Sequence, residues 1–314
     1  MEYRKLGNSG LKVSEIGLGT NTFRKRIDEP TSLAIVNRAI ELGITYIDTA
    51  DTYDRGGSEE FIGKAIRGKR SQVIIATKFG KSMGDGPNES GCSRYYIMRQ
   101  VEASLKRLQT DYIDLYQIHE PDPLTPIEET LRALDDLVRS GKIRYIGTSN
   151  FAAWQLCEAV WTAKLHNLNT VVTEQSRYNL LDRKIEEELL PFCQGHNIGI
   201  IPWGPLAGGF LTGKYRKGEK ASTEWRLADG GRIRGKLIYG NLFSESNWEK
   251  LGRLYDFADK RGHTLGELAI AWLLAKPWIA AVITGAREVE QVSANVAASK
   301  WKLSAEEVLE IDSL

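Results

Sequence analysis

From residue 16 to residue 283 the chain alternates short apolar runs with longer amphipathic stretches, and few architectures accept that pattern. The runs predict strands over 16–19, 46–48, 73–78, 113–119, 143–149, 170–175, 198–203 and 279–283. Helices are expected over 29–42, 59–67, 93–109, 127–140, 152–166, 185–196, 248–261 and 265–275, with closing helices over 289–299 and 305–311. Ile97, Val101, Leu105 and Leu108 share one helical face, and Ile127, Leu131, Leu134 and Val138 another. Strands that are apolar throughout, rather than at every second residue, belong in a parallel sheet covered on both faces.

About eight such units without a break in composition favour a closed α/β architecture, the (β/α)8 or TIM barrel, in one domain over 1–314. The turn residues Gly7-Asn8-Ser9-Gly10 between two short runs add an N-terminal β-hairpin, and the last helices are extra C-terminal ones. A doubly wound open sheet is the runner-up. It needs a glycine fingerprint after the first strand, and Gly17-x-Gly19 lacks the third glycine.

Composition narrows the partners. Forty-two basic and 41 acidic residues give a formal net charge of +1 over 314 residues. That balance argues for no nucleic acid and no membrane as partner. The start Met1-Glu2-Tyr3-Arg4-Lys5 lacks the apolar run of a signal peptide. Cys92, Cys157 and Cys193 are odd in number and widely spaced, and read as free thiols without metal spacing. A cytoplasmic location is expected, as is a monomer or weak oligomer.

Barrel sites are built at the C-terminal ends of the strands. The residues expected there are Gly19, Thr20 and Asn21; Asp48 with Tyr53 on the following loop; Lys78; His119; Ser149 and Asn150; Gln175; Trp203; and finally Gly285, Ala286 and Arg287. Each alone has an ordinary reading. Asp48 caps a strand end, Tyr53 half-buries a ring, Lys78 is solvated, and His119 is structural. Asp51 reads as a turn residue. Gathered in one mouth, the aspartate, tyrosine, lysine and histidine make a set that is costly to bury unless its members pair. A lysine cation favours the phenolate of a neighbouring tyrosine, an aspartate keeps the lysine charged, and a neutral histidine donates to a substrate oxygen. Such a set protonates a carbonyl oxygen as negative charge builds on it. It needs no metal, because one histidine and one carboxylate fall short of a zinc ligand set. The carbonyl carbon then takes either a hydride from a cofactor or a Schiff base at Lys78.

Asp48-x-x-x-x-Tyr53, Lys78 in Ala76-Thr77-Lys78-Phe79-Gly80 and His119 in Leu115-Tyr116-Gln117-Ile118-His119 resemble the catalytic tetrad of the aldo-keto reductases. The opening Tyr3-Arg4-Lys5-Leu6-Gly7-x-Ser9-Gly10-Leu11-x-Val13-Ser14 resembles that family's hairpin, and Gly17-Leu18-Gly19-Thr20 its first strand. The likeness covers nearly the whole chain and points to bacterial members related to the potassium-channel β-subunit branch. It implies NADPH-dependent reduction of aldehydes and ketones to alcohols. Tyr53 is then the proton donor, Lys78 and Asp48 tune it, and His119 orients the carbonyl. It further implies that Ser149, Asn150 and Gln175 bind the nicotinamide carboxamide. Trp203 of Trp203-Gly204-Pro205-Leu206 would stack on the nicotinamide ring, with backbone groups along the pyrophosphate. Gly19, Thr20 and Asn21 join the cofactor site.

Ile283-Thr284-Gly285-Ala286-Arg287, with Gln291 and Asn295, resembles the family's adenosine site. Arg287 suits a 2′-phosphate and so NADPH. Gly285-Ala286 stands where many members carry Lys-Ser, and Gln291 replaces a frequent arginine, which leaves NADH possible. Asn21 and Glu120 stand where aromatics are common, so a less apolar substrate pocket is expected. Gly208-Gly209-Phe210-Leu211-Thr212-Gly213-Lys214 has P-loop spacing, but Tyr215 stands where Ser or Thr should hold magnesium. Nucleotide hydrolysis is therefore rejected; the resemblance implies that Gly208 and Lys214 cradle the cofactor pyrophosphate. The excursion over 216–245 is either a cover for the cofactor or a surface loop. Two other functions stay open: a barrel aldolase using Lys78 as Schiff base, and a cofactor-sensing subunit without catalysis.

Overall fold

The computed structural model describes residues 1–215, 217–218, 227, 232–233, 236–237 and 242–314. The expected excursion over 216–245, and with it the question of what that loop covers, lies largely outside the described residues.

The chain opens with the antiparallel pair β1 (Tyr3–Lys5) and β2 (Lys12–Ser14). The barrel follows in strict alternation: β3 (Ile16–Gly19), α1 (Glu29–Glu41), β4 (Tyr46–Asp48), α2 (Gly57–Ala65), β5 (Ile74–Phe79), α3 (Arg94–Leu108), β6 (Ile113–Ile118), α4 (Ile127–Arg139) and β7 (Ile143–Ser149). Then come α5 (Ala153–Leu165), β8 (Val171–Gln175), α6 (Leu189–His196) and β9 (Gly199–Ile200). A short pair, β10 (Arg232–Ile233) and β11 (Lys236–Leu237), precedes α7 (Glu245–Asp259) and α8 (Leu265–Leu274). The chain ends with β12 (Val282–Gly285), α9 (Val289–Ala298) and α10 (Ala305–Ser313).

Eight strands pair in parallel in the order β12-β3-β4-β5-β6-β7-β8-β9. The seam closes because the Ala280 amide donates to the Ile200 carbonyl (2.9 Å) and the Ile283 amide to the Pro202 carbonyl (3.3 Å). The result is the expected (β/α)8 barrel. Its register lines the strand ends up in one layer: Gly19 pairs with Asp48 and Gly285, and Ser149 with Gln175.

The helices start where side chains can take the free amides of the first turn. Asp28 accepts from the Thr31 amide at α1, Ser93 from Tyr96 at α3, and Ser244 from Asn247 at α7. Thr264 with Glu267, and Ser304 with Glu307, form capping boxes at α8 and α10. The outward faces of the strands and the inward stripes of the helices share one apolar core. A second cluster, Leu6, Val13, Tyr46, Leu115, Val172 and Ile201 among its members, fills the barrel interior under the hairpin.

Several boundaries differ from expectation; the helix expected over 248–261 runs over Glu245–Asp259, because Ser244 caps it. Helix α2 begins two residues early, at Gly57, because Gly56 turns the chain in the left-handed region (φ 89°). Ser58 is therefore buried within the helix, its hydroxyl donating to Thr20 Oγ1 (2.8 Å). The helix expected over 185–196 is a 3-10 turn (Lys184–Glu186) followed by α6, which starts late enough to keep Pro191 in its first turn, where no amide is needed. The strand expected over 198–203 is cut to β9, since Pro202 has no amide to give, and Trp203 makes only an isolated bridge to Arg177. The last strand lies over 282–285 and not 279–283. Ile279 pairs across the seam with Ile200, and the β3 pairing begins only at Val282.

Candidate active site

The centre of the site is a buried ammonium. Lys78 is fully buried on β5, facing the barrel interior. Its Nζ donates to Asp48 Oδ1 at 2.7 Å and to the Thr49 carbonyl at 2.8 Å, and it lies beside the Tyr53 ring. Burial pushes the lysine pKa down, but the Asp48 carboxylate and Tyr53 outweigh it, and the net direction is up. Lys78 stays charged.

Asp48 ends β4 and is itself held from three sides. Besides Lys78 on Oδ1, its Oδ2 accepts from Gln175 Nε2 at 2.7 Å and from Gln117 Nε2 at 3.4 Å. Its backbone carbonyl accepts from the Thr20 amide and hydroxyl. Tyr53 sits in the turn after β4, with Lys78 Nζ 5.2 Å from its ring centroid. The His119 ring, one residue past β6, stands edge-on to Tyr53 at 5.9 Å between centroids. Burial, then Lys78 and Lys81, hold the His119 pKa well below its ordinary value, so the imidazole is neutral. Its Nδ1 is buried without a partner. The four residues expected at the mouth thus form one contiguous group.

The other expected site residues surround it. Ser149 Oγ donates to the Gln175 carbonyl (2.8 Å). Asn150 has a left-handed backbone (φ 62°), and its Nδ2 donates to the His119 carbonyl and to Ser149 Oγ, both at 3.0 Å. Its Oδ1 accepts from Trp203 Nε1 at 3.1 Å, which fixes the indole plane at the mouth. Gly204 turns in the left-handed region and its carbonyl accepts from Asn179. Pro205 and Leu206 lead into a 3-10 turn over Ala207–Thr212, in which Gly208 and Gly209 are left-handed. A side chain on Gly209 would meet Lys214 Cε at 2.9 Å, so the lysine lies folded over that glycine. No α-helix lies among residues 213–215. Across the seam, past β12, Asn295 Nδ2 donates to the Gly285 carbonyl (3.3 Å), and the Arg287 amide donates to Gln291 Oε1 (2.9 Å). Gly19 is buried against Ile283, Thr20 is buried against Asp48, and Asn21 is exposed in the next turn.

Two residues of the site were not anticipated. Gln117 and Glu174 lie inside apolar runs with side chains fully buried, Gln117 on Asp48 and Glu174 behind Asn150 and Phe151. Asp51 is in a turn, as expected, yet it is buried with both carboxylate oxygens unpartnered. Among the described residues no group of three or more His, Cys, Asp or Glu could hold a metal ion.

Residues 15–314 match the model of the aldo/keto reductase family. The chain belongs to that family. It is 39% identical over 304 residues to a probable voltage-gated potassium channel subunit beta of Arabidopsis thaliana, covering 95% of this chain and 91% of that one. It is 38% identical over 325 residues to the aldo-keto reductase YhdN of Bacillus subtilis (strain 168), covering all of this chain and 93% of the relative. To the L-glyceraldehyde 3-phosphate reductase of Escherichia coli O157:H7 it is 35% identical over 322 residues, 99% and 92% of the two chains. This aldo/keto reductase is an NAD(P)H-dependent oxidoreductase acting on carbonyl compounds. No helix among its described residues is long and apolar enough to cross a membrane.

Proposed function

We propose that the protein reduces aldehydes and ketones to alcohols with NADPH, and that Tyr53 supplies the proton. The observation that carries this reading is the buried Lys78 ammonium, which hydrogen-bonds Asp48 and Thr49 and lies 5.2 Å from the Tyr53 ring centroid. A substrate carbonyl at the mouth meets the Tyr53 hydroxyl and the neutral His119 imidazole together. His119 orients the oxygen, and Tyr53 passes its proton to that oxygen as negative charge develops. Lys78, kept charged by Asp48, stabilises the phenolate left behind until solvent restores the proton. The dinucleotide, when bound, supplies the hydride to the carbonyl carbon.

The residues at the mouth fit such a cofactor. Trp203 offers a ring held in plane by Asn150, while Gly204, Gly208 and Gly209 expose backbone in left-handed turns that nest anions. Lys214 past β9 and Arg287 past β12, which meet at the seam, supply positive charge for phosphates, and Arg287 suits the 2′-phosphate. Gln291 and Asn295 brace the turn that presents Arg287. The Lys81–Glu120 ion pair (3.4 Å), just past β5 and β6, gives the substrate end a polar rim. Together with exposed Asn21 it favours small polar aldehydes over bulky apolar ketones.

The aldolase reading is weaker. A Schiff-base lysine must lose its proton, and Lys78 is held charged. Borohydride trapping should leave no adduct on Lys78. The main test is oxidation of NADPH and of NADH across an aldehyde and ketone panel, with Tyr53→Phe as the control. That variant should bind NADPH as the parent does and lose turnover by about 10²–10⁴-fold, the range of a general acid. Turnover retained by Tyr53→Phe removes Tyr53 from its role. Binding of NADPH without turnover on any substrate favours the cofactor-sensing alternative.

A further inference from the structure

Glu174 is a carboxyl group that nothing in the reaction above uses. It lies on β8 between Thr173, which faces the barrel interior, and Gln175, which holds Asp48. Its own side chain points the other way and is fully buried. Oε1 accepts from the Phe151 amide at 3.2 Å and from Ser176 Oγ at 2.7 Å, and Oε2 has no partner. The Asn150 amide, beside it, donates to the Gln175 carbonyl at 3.0 Å.

We infer that Glu174 is a positioning residue for the nicotinamide end of the cofactor site, acting through the Asn150–Phe151 turn. The inference rests on the dinucleotide reading of the site. Asn150 is forced into a left-handed backbone that a non-glycine residue adopts at some cost. In that conformation its side chain joins three strand ends, donating to the His119 carbonyl and Ser149 Oγ and accepting from the Trp203 indole. What holds the turn against relaxing is the pair of acceptors behind it: the Gln175 carbonyl on the Asn150 amide, and the Glu174 carboxyl on the Phe151 amide. Release of the Phe151 amide would free the turn, and the plane of Trp203 would move with it.

The grip depends on the charge state of Glu174. Burial pushes this carboxyl up to about 7, against the nearby Thr148 and Ser176 hydroxyls and the Phe151 and Asn150 amides, which pull it down. The groups around it explain why no cation offsets the burial. From α6 the titratable neighbour is the Cys193 thiol, pushed up by burial first and then by Glu174 itself. From β7 it meets Thr148 and the turn amides, and on β9 Ile200 lies beside it in register. A carboxylate accepts from an amide more strongly than a carboxylic acid does. Dinucleotide binding should therefore tighten as pH rises through neutrality.

The experiment is NADPH affinity from pH 6 to pH 8.5, read by quenching of tryptophan fluorescence, for the wild type, Glu174→Gln and Ser176→Ala. The 2′-phosphate of the ligand titrates in all three alike, so the differences report the protein. The wild type should bind roughly fivefold more tightly at the alkaline end than Glu174→Gln, and the two should converge at the acid end. Ser176→Ala removes a donor to the carboxylate and should move the midpoint of the wild-type profile to higher pH. Parallel profiles for wild type and Glu174→Gln, or an unmoved midpoint in Ser176→Ala, overturn the inference while leaving the dinucleotide site intact. No NADPH binding by the wild type at any pH overturns the reading of the site and this inference with it.

Discussion

Asp51 shows how much one side chain can hide behind its place in a turn. It stands between Asp48 and Tyr53, its amide donating to the Lys78 carbonyl (3.1 Å). Glu59, also buried, is satisfied: Arg107 donates to one oxygen at 2.6 Å and Thr77 to the other at 2.5 Å. Asp51 has no such partner on either oxygen. Burial, then the Glu59 charge, push its pKa well above the ordinary carboxylate range, so it folds carrying a proton. A group whose pKa is raised on folding contributes stability that is full below the unfolded value near ~3.9 and is lost as pH rises through the folded value. Asp51→Asn keeps the shape and cannot ionise. Its melting temperature relative to the wild type should rise by about 2–4 °C from pH 5 to pH 9, on the scale of ~1 kcal/mol for a chain of this size. A melting temperature lower than wild type at both pH values would show that the carboxyl makes a bond only an acid can make.

Helix α2 carries the element-scale lesson. Its apolar stripe is legible from Phe61, Ile62 and Ala65, but its closeness to α3 is not. A side chain on Gly63 would lie 2.6 Å from the Arg107 carbonyl oxygen and 2.8 Å from that of Leu108, so the two helices meet backbone to backbone. Alanine at an exposed helix position gains up to about 1 kcal/mol over glycine. Here overpacking against main chain costs about 1–3 kcal/mol. Gly63→Ala should therefore lower the urea midpoint, and a raised midpoint would mean that α2 and α3 can separate freely. The same contrast separates what could be read beforehand from what could not. Asp48, Lys78 and His119 were legible because the polar residue at the end of an apolar run has a defined place in a parallel barrel. Gln117 and Glu174 sit within such runs, where pattern says only that they are buried. Their partners, Asp48 on β4 and Phe151 in the turn after β7, come from elsewhere in the chain, and no spacing along it encodes that pairing. The early start of α2 and the late start of the last strand were missed for a related reason. Gly56 and the β3 pairing set them, and apolar periodicity registers neither.

Across the whole barrel the seam is the place where closure is least secured. Strands β5 to β8 pair through long ladders, whereas β9 and the segment before β12 share three backbone bonds: Ile200 to Trp278, Ala280 to Ile200, and Ile283 to Pro202. The hairpin compensates from below. Arg4 donates to the Leu274 carbonyl at 2.8 Å and to the Ile279 carbonyl at 3.2 Å, and pairs with buried Glu15 at 3.3 Å. One guanidinium thus ties the hairpin to the end of α8 and to the chain entering β12. Glu15 in turn presents its carbonyl to the Val282 amide, which begins the ladder with β3. Arg4→Ala removes the tie and leaves the β5–β7 ladders untouched. Charged hydrogen bonds of this kind contribute about 1.5–3 kcal/mol each when buried, less at this half-buried position. A loss of about 1.4 kcal/mol in local stability corresponds to tenfold faster opening. In Arg4→Ala the amides of Ile200 and Ala280 should exchange with deuterium about tenfold faster, while those of Leu115 and Ile146 keep their protection. Equal acceleration at all four amides would mean that the seam opens only when the whole barrel does, and that the hairpin adds to global stability without guarding a weak edge.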